Sequence, residues 1–155
     1  MTCKNIYLGQ KWTSADLKFG KGTIYLGGLR NRRGRSWRTD VITKISNSID
    51  ATLLVPETSA QLKGGSSRTS PETDRWQKFA IGSSTAIIFW FPKNAVDDTG
   101  VIDLEPWSSS RKVLIGKDPE NNSPSVIKVA ENSNIVIVDS LDGLIDKMLG
   151  LLNRE

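Results

Sequence analysis

The chain has 155 residues, 37% hydrophobic and 25% charged, with a net charge of +4, the composition of one globular domain with a full core. There is no histidine, which excludes Ser-His and Cys-His nucleophilic pairs and histidine-ligated zinc. Cys3 is the single cysteine, so no disulfide closes within the chain and a reducing, cytoplasmic setting is expected.

No apolar run approaches the roughly 18 residues of a membrane helix, and "MTCKNIYLGQKW" has no basic-then-apolar leader pattern. Residues 1–22 carry "IYLG", which recurs in "TIYLGG". They are expected as an N-terminal extension, a strand or hairpin at a sheet edge, before a main domain over 23–155. "TIYLGG" (23–28) reads as a strand that ends in Gly27 and Gly28. The next stretch, "LRNRRGRSWR", holds Arg30, Arg32, Arg33, Arg35 and Arg38, a cation cluster that points to an anionic ligand, phosphate above all. A solvated loop or a nucleic-acid patch remains open for the same residues.

"SWRTDVITKISNS" (36–48) places Trp37, Val41, Ile42 and Ile45 on one helical face with Ser36 as N-cap. "ATLLVPE" (51–57) is a second strand. The Ser/Gly-rich stretch 58–73 is expected as a long loop, either a lid or a surface insertion. "SPETDRWQKFAIGSS" (70–84) reads as a helix, and "TAIIFWFP" (85–92) as a strand buried on both faces. A fourth strand is expected over 112–116, a short helix over 123–132, a fifth strand over 134–138, and an amphipathic helix from Leu141. This alternation predicts a parallel sheet of five strands, near 23–28, 51–55, 85–91, 112–116 and 134–138, covered by helices on both sides.

Ligands of such sheets bind outside the carboxyl ends of the strands. The ends deliver Gly27 and Gly28, then Pro56 and Glu57, then Pro92 and the loop toward "TGVIDLEPW". Its Asp103 and Glu105 are either helix-start charges or reacting acids. "LGG" lacks the GxGxxG spacing of a dinucleotide site, and its glycines serve either a tight turn or a close backbone approach to a ligand. Trp37, Trp76 and Trp107 are read as core residues or as base-stacking platforms.

Taken in order, "IYLGG…SWR…LLVPE…DRWQKFAI…AIIFWFP…TGVIDLEPW…KVLIGKDPE" resembles the nucleoside 2-deoxyribosyltransferase-like family over roughly residues 23–140. The resemblance implies a flavodoxin-like, three-layer α/β fold. It implies cleavage or transfer at the N-glycosidic bond of a nucleoside or nucleoside 5′-monophosphate, through a carboxylate nucleophile. Alignment on Trp107 puts Asp103 at the nucleophile position, and a shift of two residues would put Glu105 there. Glu57 is then expected to contact the sugar or assist proton transfer. Tyr25, Gly27, Gly28, Arg30, Trp37, Gln77, Trp90 and Pro92 are expected around the substrate.

Gln77 and Thr85 stand where the family carries acids, which keeps a non-catalytic nucleotide-binding module as the alternative. The resemblance also implies a homo-oligomer. No cofactor, metal, membrane or nucleic-acid partner is expected.

Overall fold

The computed structural model describes residues 2–28, 35–64, 71–93, 112–121, 131, 135 and 137–153. The apolar runs of the sequence become strands β1 (Cys3–Tyr7), β2 (Thr23–Gly28), β3 (Ala51–Val55), β4 (Ala86–Phe91), β5 (Lys112–Lys117) and β6 (Ile137–Val138). They form one parallel sheet of six strands in the order β1-β3-β2-β4-β5-β6. The helices are α1 (Ser14–Leu17), α2 (Trp37–Ser46), α3 (Ser59–Leu62), α4 (Pro71–Ser83) and α5 (Leu141–Asn153).

Successive side chains of a strand point to opposite faces, and here both faces are roofed. Ile24, Leu26, Leu53, Val55, Ile88 and Trp90 pack under Val41 and Ile45 of α2 and Leu144, Ile145 and Met148 of α5. Tyr25, Leu54, Ile87, Phe89 and Ile115 pack on the other side against Ala80 and Ile81 of α4. Every residue of "AIIFWF" is buried. Burying each large apolar side chain contributes about 1.5–3 kcal/mol, so a strand covered on both faces shows a continuous apolar run instead of alternation.

Of the two forms expected for the N-terminal segment, a strand or a hairpin at the sheet edge, the structure shows the strand, which brings the sheet from the five strands of the main domain to six: β1 runs parallel to β3 from Cys3↔Ala51 to Tyr7↔Val55. The chain between β1 and β2 is tied down where β3 begins: Lys21 N–H donates to the Asp50 carbonyl at 2.7 Å, and Thr52 Oγ1 donates to the Asp16 carbonyl. Thr13 and Asp16 cap α1 reciprocally. The two "IYLG" copies face opposite ways, since Ile6 shares the α4 side with Tyr25 while Ile24 lies on the α2 side.

A correction concerns 58–73. Thr58 caps α3, with its side chain accepting from Gln61 N–H and the Gln61 side chain accepting from Thr58 N–H. Residues 71–73 already belong to α4. The expected helix over 123–132 falls, apart from Glu131, outside the described residues.

The chain leaves β2 for β3 through α2 on one face, then passes back over β2 to β4 through α4 on the other. The strand order therefore reverses around β2, and the carboxyl ends of β2 and β4 flank the switch point where open α/β sheets bind ligands.

Candidate functional site

β2 ends in a pair of glycines for reasons of packing. A Cβ on Gly27 would lie 2.7 Å from the Phe89 ring, and one on Gly28, at φ +109°, 2.0 Å from the Trp90 carbonyl oxygen. Gly28 and Trp90 are register partners at the carboxyl end of the sheet. Pro56 and Pro92 close β3 and β4 because proline has no N–H for the ladder.

Glu57 stands just past Pro56 and is fully buried. Its Oε1 accepts a 2.6 Å hydrogen bond from Ser36 Oγ and another from Arg38 Nη1. The rest of the guanidinium fork is spent on the end of β2: Nε donates to the Leu26 carbonyl at 2.8 Å and Nη2 to the Gly28 carbonyl at 3.2 Å. Ser36 is also the N-cap of α2, its Oγ accepting from Arg38 N–H at 3.2 Å. Leu8 N–H donates to the Glu57 carbonyl at 3.2 Å, which joins the end of β1 to the same knot. Ser36, Arg38 and Glu57 are 4%, 2% and 0% exposed. A charge so deep is tolerated only when paired and hydrogen-bonded, and Arg38 meets that condition while fastening the ends of β2 and β3 together. It also lies over the Trp37 ring at 4.6 Å, a cation–π contact.

The structure does not bring all the expected site residues together. Glu57, Gly28, Trp90 and Pro92 meet at the carboxyl end of the sheet, and Trp37 joins them through Arg38. Tyr25 and Gly27 face the α4 side, whereas Trp37 and Trp90 belong to the core under α2 and α5. Gln77 is half-buried on α4. Burial raises the Tyr25 phenol well above its ordinary range, with the Arg38 charge pulling weakly the other way, so it stays protonated. The Pro92 carbonyl accepts from Asn121 Nδ2 at 2.9 Å, and Lys117 Nζ donates to the Asn121 carbonyl at 2.9 Å; the end of β5 thus braces the end of β4. Arg30, Asp103 and Glu105 lie outside the described residues.

Two members of the arginine cluster already have partners within the chain. Arg38 is locked to Glu57, and Arg35 pairs with Asp40 at 3.0 Å on the surface. Arg32 and Arg33, like Arg30, fall outside the described residues. Arg38 is the residue that the sequence pattern concealed. Its spacing to Val41 and Ile45, three and seven residues on, sets it on the buried stripe of α2, and that spacing is the available signal.

A cavity of about 450 Å³ opens beside this knot, lined by Tyr7, Arg35, Thr39, Ser59, Leu62 and Lys63. Arg35, a member of the arginine cluster expected to meet an anion, is among these; the other site residues expected from the sequence are not. Among the described residues no group of three or more metal-binding side chains stands together, and no helix is long and apolar enough to cross a membrane. No protein-family model matches the chain, and no curated protein matches it significantly.

Proposed function

We propose that the protein binds a nucleoside 5′-monophosphate or nucleoside outside the carboxyl ends of β2, β3 and β4 and breaks or transfers its N-glycosidic bond. The single observation that carries this reading is the strand order. Without the edge strand β1, the order β3-β2-β4-β5-β6 is the 2-1-3-4-5 order of flavodoxin-like sheets, whose ligand lies at the switch between the first and third strands. Those strands here are β2 and β4, and the expected residues Gly28, Trp90 and Pro92 stand at their ends.

In the proposed reaction the carboxylate of Asp103 attacks the anomeric carbon as the carbon–nitrogen bond to the base breaks. The base leaves taking a proton from solvent water, and water or a second base then attacks the anomeric carbon, gives up a proton to solvent and frees the carboxylate. Glu105 takes the nucleophile's place if the chain around Pro106 is offset by two residues. Both lone-pair directions of Glu57 Oε1 are engaged by Ser36 and Arg38, which fits a positioning role: Glu57 holds the end of β3, and the shape of the crevice, in place. The same engagement favours the second reading, a nucleotide-binding module without chemistry, if neither Asp103 nor Glu105 reaches the sugar.

The test is chromatographic. The protein is incubated with a panel of deoxynucleosides and their 5′-monophosphates, and free base is measured, in parallel with calorimetric binding. Base release supports the enzyme, binding without release supports the module, and neither removes the proposal.

A further inference from the structure

The cavity between the end of β1, α2 and α3 is lined by none of Gly28, Glu57, Trp90 and Pro92, and shares only Arg35 with the arginine cluster. We propose that it is a second binding site, for a small organic anion carrying one carboxylate or phosphate monoester group on an aromatic or aliphatic body. Its volume of about 450 Å³ lies within the range of small-molecule sites. Its charge has one sign: Arg35 and Lys63 line it, with no carboxylate among the described lining residues. Among the described residues Lys63 has no carboxylate partner, and the Arg35–Asp40 pair is exposed at both ends, 63% and 69%, so that guanidinium exchanges readily to a ligand.

The Tyr7 ring and Leu62 supply an apolar wall, which inorganic phosphate alone would leave wet. Thr39, another lining residue, has its Oγ1 buried without a hydrogen-bond partner. A purely apolar ligand would gain nothing from Arg35 and Lys63. Only a ligand that is apolar at one end and anionic at the other answers both parts of the lining.

The probe is phenyl phosphate, titrated into the full chain with amide NMR shifts as readout. The site predicts saturable shifts at Tyr7, Thr39 and Lys63. Phenol and inorganic phosphate should each bind at least about tenfold more weakly, and Lys63→Gln should cost phenyl phosphate about tenfold, the worth of one charge-assisted hydrogen bond. Ser59→Trp, a change at an exposed position that fills the cavity, should abolish binding while the thermal transition is kept. Absence of saturable shifts overturns the proposal, as do shifts centred on Gly28 and Trp90 or affinities that ignore both substitutions. Base release and nucleotide binding at the switch point are separate readouts, so either site can fail without the other.

Discussion

Arg38→Met should be among the most damaging single substitutions in α2. Methionine keeps much of the aliphatic stem but removes the guanidinium. Glu57 would remain fully buried with Ser36 Oγ still bound at 2.6 Å but without the Arg38 guanidinium, and the Leu26 and Gly28 carbonyls would lose their Arg38 donor. Breaking a buried ion pair from one side costs about 3–5 kcal/mol, a large part of the roughly 5–15 kcal/mol that holds a domain folded. With a urea slope of about 2 kcal/mol per molar for a domain of this size, the midpoint should fall by about 2 M. Glu57→Gln should cost a similar amount by stranding Arg38. The double variant should recover at least about 2 kcal/mol relative to the sum of the singles, because neither charge is then left alone. Urea unfolding followed by tryptophan fluorescence measures all three. A loss below about 1 kcal/mol for Arg38→Met, or strict additivity, would refute the role given to this pair.

Gly28→Ala should destabilise the protein by about 3 kcal/mol, since it combines a positive φ with a Cβ placed against the Trp90 carbonyl; a neutral result in the same urea assay would show that the end of β2 adapts. The raised Tyr25 phenol predicts an alkaline effect: above about pH 10 the unfolded chain loses this proton while the folded chain keeps it. The Tyr25 contribution should therefore be constant below about pH 10 and fall above it by up to about 1.4 kcal/mol per pH unit, and Tyr25→Phe should make the alkaline limb shallower in a pH series of denaturation curves. The 5′-phosphate should strengthen nucleoside binding by about tenfold in the wild type and add little in Arg30→Ala, as calorimetry would show; equal affinities for nucleoside and monophosphate in the wild type would leave the arginine loop a solvated surface.

The strands were legible wherever two-sided burial forced continuous apolar runs: "TIYLGG" and "ATLLV" occupy their expected bounds, and "AIIFWF" begins one residue late, at Ala86. "CKNIY" was harder because β1 is an edge strand whose exposed and half-buried positions break the run. Its place beside β3 depends on pairings across more than forty residues, such as Cys3↔Ala51, which no local pattern encodes. The short helix α3 carried a local signature, Thr58-x-x-Gln61, that a Ser/Gly-rich composition obscured.

The place of Glu57 past a strand end was legible in the sequence. The burial of Arg38 was not, because a cluster of arginines reads as one surface until helical phase separates its members. The glycines show a similar limit. "LGG" announces a special backbone but not its cause, and the structure supplies one in the Phe89 ring and the Trp90 carbonyl.

The central claim is that a carboxylate in "TGVIDLEPW" cleaves an N-glycosidic bond of a ligand held at the ends of β2 and β4. It is tested most directly by measuring base release from deoxynucleoside 5′-monophosphates with the wild type, Asp103→Asn and Glu105→Gln side by side. Release is expected from the wild type, none from Asp103→Asn, and most of the activity from Glu105→Gln. The reverse pattern would move the nucleophile to Glu105, and release untouched by either substitution, or none from any substrate, would contradict the claim.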